Sequence, residues 1–282
     1  MKIIRAVAEL RETVRSARSA GARIGLVPTM GAFHEGHLAL MRRAREQSGF
    51  VVTSLFVNPT QFNDSADLAR YPRHEARDAE LARTAGASVL FAPSASEVYP
   101  DGFSTSVHVA KLSEPLEGTM RGPGHFRGVA TVVAKLFGQV RPDIALFGEK
   151  DYQQLAVIRR LVLDLDLGIE IIGVATQRDA DGLALSSRNA YLSAEERRAA
   201  RALPRCLGEA TAAIRDGADV GGTLTKARDV LTEAGFGPID YVALCDASTL
   251  DVLDRLDRPA RLLAAAFLGR TRLIDNMAVD PA

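Results

Sequence analysis

The sequence predicts a doubly wound α/β fold, a parallel sheet covered on both faces by helices, followed by a smaller α+β unit. Three observations carry that expectation. Short apolar or β-branched runs alternate with helical patterns up to about residue 175, which is the rhythm of βαβ units. The run 50–57, FVVTSLFV, is apolar nearly throughout, as in a strand buried on both faces. Beyond that point the character changes to Ala-rich helices and then strands, so the chain divides into 1–176 and 177–282.

Taken in order, residues 4–20 read as a helix, with Ile4, Val7, Leu10 and Val14 at helical spacing and Gly21 as the stop. Residues 23–27 read as a short strand that Pro28 ends, and a helix runs from about 37 to 47. After the 50–57 strand come a helix over 73–85 and a strand over 88–92. From 93 to 126 the pattern dissolves, leaving one alternating run at 104–109 and a Gly/Pro-rich segment at 118–128. Such a stretch reads as a mobile flap, where Arg121, His125 and Arg127 would meet an anion. The pattern then resumes as a helix over 128–138, a strand over 144–147, a helix over 151–164 and a strand over 170–175. Ser193 and Glu196 form a capping box opening a long helix to about Arg215. A helix over 220–234 and strands over 239–244, 261–267 and 272–274 complete the second unit.

The composition excludes several classes of function. With 282 residues and 47% hydrophobic side chains, the chain can bury a sizeable core. Basic and acidic residues number 35 each, so no electrostatic footprint for nucleic acid or an anionic membrane is present. The two cysteines, Cys206 and Cys245, are far apart and outside any CxxC, which argues against a disulfide framework or a zinc ribbon. Charges recur through the N-terminal residues, and no apolar run approaches the roughly 18 residues of a membrane span. The expectation is a soluble, cytoplasmic protein.

Chemistry concentrates first at 26–37, LVPTMGAFHEGH, where an apolar strand runs into glycines and two closely spaced histidines. Gly31 and Gly36 permit close approach of the backbone to a ligand. The helix that follows offers unpaired N–H groups and a positive dipole end, which together suit a phosphate. His34 and His37 are three apart, so both rings face one side of that helical turn. A zinc ion would need three or four ligands, and neither HExxH nor a cysteine cluster supplies them. Three further loops follow predicted strands: Asn58/Gln61, Gly148/Lys150/Asp151 and Ser186-Ser187-Arg188-Asn189. In an open α/β sheet such loops gather at the carboxyl edge. Two histidines, a lysine and an arginine in a neutral protein suit a polyphosphate. P-loop, GxGxxG and GxSxG signatures are absent, so Ser186 and Ser187 read as hydrogen-bond donors and not as nucleophiles.

Six ordered motifs make the reading specific: PTMGAFHEGH (28–37), FVNPTQF (56–62), YPR (71–73), RGPGHFRGVATVV (121–133), FGEKDYQQ (147–154) and DGLALSSRNAYLS (181–193). Together they resemble the pantoate–β-alanine ligase family, whereas HxGH alone would reach only the Rossmann-like, HIGH-type nucleotidyltransferases. The resemblance implies that ATP, with Mg²⁺, adenylates the carboxylate of pantoate and releases pyrophosphate. The amine of β-alanine then attacks the acyl adenylate, giving pantothenate and AMP.

By this resemblance the catalytic residues are His34, His37, Lys150, Ser186, Ser187 and Arg188, and they also bind ATP. Met30, Gly36, Gly148, Asp151, Gln177 through its backbone, and Leu185 complete the ATP site. Pantoate falls to Pro28, Met30, Gln61, Val132, Val133, Phe147 and Gln154. Asn58, Gln61, Tyr71, Arg121 and His125 lie where the family handles β-alanine. Leu185 replaces the family's usual methionine, a volume-conserving change. Arg77-Asp78 stands where some members carry paired acidic residues, leaving Asp78 as the candidate metal ligand. The family also implies a homodimer. The alternative is another HxGH nucleotidyltransferase, a cytidylyl- or adenylyltransferase acting on a small polar acid or phosphate. A catalytically silent nucleotide sensor is a third reading. An aminoacyl-tRNA ligase is disfavoured by the zero net charge and the lack of an anticodon-binding domain.

Overall fold

Two sheets organise the chain, one in each of two units, in a computed structural model that describes residues 1–62 and 65–281. The first unit comprises Met1–Glu149 and Gln153–Ala175, the second Lys150–Tyr152 and Thr176–Ala282. In the first unit β1 (Lys2–Ile4), β2 (Ile24–Thr29), β3 (Phe50–Leu55), β4 (Val89–Phe91), β5 (Ile144–Gly148) and β6 (Glu170–Val174) form one parallel sheet. Its order is β1-β4-β3-β2-β5-β6. From β2 the chain winds outward through β3 to β4, then returns to β5 on the other side of β2. The carboxyl ends of β2 and β5 therefore flank a topological switch point, where open α/β sheets bind ligands. Ile24, Leu26, Val27, Val51, Val52, Ile144 and Leu146 are fully buried, as expected for central strands covered on both faces.

Several expectations are corrected by the structure. The 4–20 segment is not one helix: Ile4 belongs to β1, paired in parallel with Phe91 of β4, and the helix is Val7–Ser19. Ile4 happens to lie at helical spacing from Val7, and a strand this short displays no period of its own. Pro28 does not end the second strand, which continues to Thr29. β2 pairs with β5 only at Gly25 and Leu26, so beyond Leu26 it is bonded on the β3 side alone. A residue lacking an N–H is tolerated at such a half-free position.

The 118–128 segment is not an irregular flap. It contains the helix Glu117–Arg121 and the start of the helix Gly124–Val140. Two of its glycines serve close packing: a Cβ on Gly118 would overlap the Ser113 carbonyl, and one on Gly128 the Thr60 carbonyl. No strand forms at 104–109.

In the second unit the expected long helix divides into Ala194–Ala199 and Ala202–Arg215. Pro204 sits in the first turn of the latter, where it has no N–H to donate to the Ala200 carbonyl, which accepts the Leu203 N–H at 3.1 Å instead. β7 (Phe236–Asp246), β8 (Ala260–Leu268) and β9 (Thr271–Val279) form an antiparallel sheet in that order. Leu203, Leu207, Leu231, Leu244 and Leu262 form part of the core between this sheet and the helices Ala202–Arg215 and Val220–Glu233. β9 runs well past 272–274, because two buried polar residues, Asp275 and Asn276, interrupt the apolar pattern that marks a strand in sequence. Among the described residues, no helix is long and apolar enough to cross a membrane.

Candidate active site

In the first unit, the loop after β2 leads into the helix Glu35–Gln47 with His34 as its N-cap. His34 Nδ1 accepts the Gly36 N–H at 3.2 Å, and His37 Nδ1 accepts the His34 N–H at 3.4 Å. Two imidazoles thus form a reciprocal capping box, a task ordinarily divided between a hydroxyl and a carboxylate or amide. A neutral ring that accepts at Nδ1 carries its proton on Nε2, so the capping box sets the tautomer and orientation of each histidine. The ring centroids lie 4.2 Å apart.

Asp78, 1% exposed on the helix Glu75–Thr84, supports this loop from beneath. Its Oδ2 accepts the Ala32 N–H at 2.8 Å and its Oδ1 the Phe33 N–H at 2.9 Å. Ala32 has φ +53°, a left-handed conformation that a residue with a Cβ holds only when its surroundings enforce it. The carboxylate named in sequence as a candidate metal ligand therefore has both oxygens engaged with backbone N–H groups. Among the described residues no cluster of three or more His, Cys, Asp or Glu could hold a metal ion.

At the carboxyl end of β3, Asn58 is 1% exposed and fully engaged. Its Oδ1 accepts from Tyr99 Oη at 2.8 Å and Thr60 Oγ1 at 2.9 Å, while Nδ2 donates to Gln61 Oε1 at 3.0 Å and to the Gly128 carbonyl at 3.1 Å. Burial pushes the Tyr99 hydroxyl pKa up, keeping it a donor. The bracket aims Gln61: its Nε2 lies 3.1 Å from Met30 Sδ, and its carbonyl is 3.0 Å from His125 Nδ1. The structure so brings together Met30, Asn58, Gln61 and His125, along with Thr60 and Tyr99, which the sequence reading did not single out. Val132, Val133 and Phe147 are buried apolar groups, and Pro28 is half-buried. Gly148 ends β5. Gln153 is the buried one of two adjacent glutamines, accepting the Glu117 N–H and donating to the Leu112 and Pro115 carbonyls, whereas Gln154 is half-buried. Tyr71 packs edge-on to Phe62, and Arg121 Nε donates to Glu117 of its own helix at 2.5 Å.

The second unit holds the remaining candidates. Lys150 and Asp151 share a 3₁₀ turn, Nζ and carboxylate 3.8 Å apart. Gln177 and Leu185 face each other, the Leu185 N–H donating to the Gln177 carbonyl at 2.9 Å. Arg197 clamps this hairpin through Asp181 at 2.6 Å and Asp179 at 2.7 Å, and holds the Asp181 carboxyl down to about 2. Ser186 caps the turn Ser187–Tyr191, its Oγ accepting the Arg188 N–H at 3.3 Å, so Ser186, Ser187 and Arg188 form one local unit. Both cysteines are buried free thiols, Cys245 pushed up to about 12 by burial, and neither is a candidate nucleophile.

A doubly wound sheet with an HxGH helix start at its switch point defines a nucleotide-binding α/β protein of the HIGH type. The particular family is shown by comparison. Residues 2–278 match the sequence model of the pantoate-beta-alanine ligases, and the chain belongs to that family. It is 62% identical over 282 residues to a pantothenate synthetase of Rhizorhabdus wittichii, covering 100% of both chains. A relative in Sphingopyxis alaskensis, with the same name, is 58% identical over 279 residues, 99% of this chain and 100% of that one. The fold matches a pantothenate synthetase structure from Thermus thermophilus with TM-score 0.93 at 47% identity, covering 100% of each chain. A pantoate-beta-alanine ligase from Francisella tularensis, complexed with beta-gamma ATP and beta-alanine, superposes with TM-score 0.82 at 33% identity over 98% and 97% of the two chains.

Proposed function

We propose that this chain condenses pantoate with β-alanine in two ATP-dependent steps, through a pantoyl adenylate. The observation that carries the reading is the histidine capping box, two imidazoles oriented at a sheet switch point, in a chain that matches the ligase family over nearly its whole length. In the first step a pantoate carboxylate oxygen attacks the α-phosphorus of ATP, a P–O bond forms, and pyrophosphate leaves. Negative charge accumulates on the phosphoryl oxygens, so fixed donors lower the barrier. That is the role of His34, His37, Lys150, Ser186, Ser187 and Arg188. Gln61 and Gln154 bind the polar groups of pantoate, while Pro28, Met30, Val132, Val133 and Phe147 meet its dimethyl face. Gly36 lets the phosphates approach the backbone, Gly148 and Asp151 take the ribose, and the Gln177 backbone and Leu185 take the adenine.

In the second step the β-alanine amine attacks the acyl carbon, AMP departs, and the amine proton is lost. Tyr71, Arg121 and His125 handle this substrate, and Asn58 acts through the orientation of Gln61. Mg²⁺ accompanies ATP as a phosphate counter-ion. The side chains of this structure do not fit a protein cage for it, since Asp78 is engaged with the loop. The working form is a cytoplasmic homodimer with no nucleic-acid or membrane partner, and sizing in solution tests the dimer.

The deciding experiment is pyrophosphate release from ATP with pantoate present or absent. Release that requires pantoate supports the ligase. Release without pantoate points to another nucleotidyltransferase, and ATP binding without any turnover points to a sensor.

A further inference from the structure

We propose that Asp275 and Asn276 of β9 are positioning residues for the ATP-handling segments of the second unit, a proposal that rests on the ligase reading. Neighbours along a strand point to opposite faces, yet both of these polar side chains are buried, at 2% and 3% exposure. Burying a polar group is costly unless it is hydrogen-bonded, and a buried ion pair seldom stabilises more than well-packed apolar groups would. What such a pair supplies is geometry, so the informative question is what each residue holds.

Asp275 holds the hairpin that carries Gln177. Its oxygens take Arg178 in a two-pronged pair, Nη1 to Oδ2 at 2.7 Å and Nη2 to Oδ1 at 2.8 Å. Arg178 Nη1 also donates to the Gly182 carbonyl at 3.0 Å, so the guanidinium ties both limbs of the hairpin to β9. Asn276 holds the lysine segment. Its Nδ2 donates to the Lys150 carbonyl at 2.9 Å, and its Oδ1 accepts from Arg261 Nε at 2.6 Å. The Arg261 guanidinium lies 4.2 Å over the ring of Tyr152, whose hydroxyl donates to the Ala247 carbonyl at 2.8 Å. Lys150–Tyr152 is thereby fixed at both ends. The lysine ammonium is a point charge on a flexible stem, so its place at a phosphate depends on where its main chain is anchored.

Asn276→Asp tests the link, because it keeps the side-chain shape and an acceptor for Arg261 but removes the donor to Lys150. With rates normalised to titrated active sites, adenylate formation falls by about ten- to a hundredfold, the effect of a misplaced catalytic group, while the pantoate KM is unchanged. Tyr152→Phe, which loosens the other end of the segment, lowers the same rate by about threefold, as for loss of one neutral hydrogen bond. A readout that needs no turnover is acylation of the Lys150 amine by an acetylating reagent, mapped on peptides. ATP protects Lys150 in the wild type and loses that protection in Asn276→Asp.

Wild-type rate and ATP protection in Asn276→Asp, with only a lower melting temperature, overturn the proposal. If that variant does not fold, a wild-type adenylation rate in Tyr152→Phe overturns it instead. Pyrophosphate release by the wild type that ignores pantoate defeats the ligase reading alone, since the protection measurement still decides whether Asn276 positions Lys150.

Discussion

The HxGH loop and the Lys150 segment are both proposed to act on ATP, yet they are held in contrasting ways. His34 and His37 fix each other: each ring caps a backbone N–H within the same turn. Lys150 is fixed by Asn276, 126 positions later, through its carbonyl and not its side chain. The first arrangement is written in residue spacing. The second exists only once the second unit has folded, and it orients a flexible side chain indirectly. The histidines are thus preset by local backbone geometry and the lysine by tertiary packing, which predicts different sensitivities to substitution.

The comparison is broken most forcefully by removing the charged or donating groups themselves. His37→Ala and Lys150→Ala should each reduce pantoate-dependent pyrophosphate release by roughly 10²–10³, the range for loss of one transition-state donor. His37→Ala should in addition destabilise the protein, because it removes half of the capping box; a cap contributes about 1 kcal/mol. Lys150→Ala should leave denaturant stability near that of the wild type. Equal stability losses in the two variants would refute the contrast, and a near wild-type rate in either would remove that residue from the mechanism.

The HxGH loop has one distant support, Asp78, and its removal sharpens the comparison. Asp78→Ala leaves the part-buried N–H of Ala32 and the buried N–H of Phe33 without their acceptor and should cost about 3 kcal/mol in equilibrium unfolding. Asp78→Asn, which retains one acceptor oxygen, should cost less. In both, the Mg²⁺ concentration giving half-maximal rate should match that of the wild type, because the carboxylate serves the loop. A large shift in Mg²⁺ requirement for Asp78→Asn would return this residue to the metal.

The same division explains what the sequence revealed. The 28–37 segment was legible as a strand end leading into a helix start because spacing and glycines express local geometry, and the βαβ rhythm was legible because central strands are apolar on both faces. Pro28 misled as a strand stop, since the one-sided pairing that tolerates it depends on where β5 ends. Gly118 and Gly128 suggested mobility, whereas backbone carbonyls require them small, that of Ser113 five residues before Gly118 and that of the distant Thr60 at Gly128. Asp78 resembled a metal ligand because its acceptor role is satisfied by backbone from another element. Asp275 and Asn276 lie just beyond the strand expected over 272–274, and no signal in the chain pairs them with Arg178 or Lys150. Pro204 did announce the break in the expected long helix, and the capping box at Ser193 overshadowed it.

The smallest effect concerns acid stability in the second unit. Asp181 is gripped by Arg197 and Arg201 and accepts the Leu183 N–H, and hydrogen bonding to Arg197 is the main reason its carboxyl lies at about 2, below the ordinary 3.8. A carboxyl with a lowered folded-state pKa binds fewer protons when folded than when unfolded. Its contribution is therefore complete above about pH 4, near the unfolded-chain pKa, and fades as pH falls toward 2. Asp181 retains some exposure, so solvent screening keeps the contribution modest. Arg197→Gln should lower the denaturation midpoint slightly at pH 5 and progressively less toward pH 2.5, so that wild type and variant converge. A gap that is constant over this range would mean that Arg197 acts by packing and not through the Asp181 charge. Because Asp179 shares the same guanidinium, Asp181→Asn with Arg197 intact separates the two carboxylates, and it should reproduce most of the convergence.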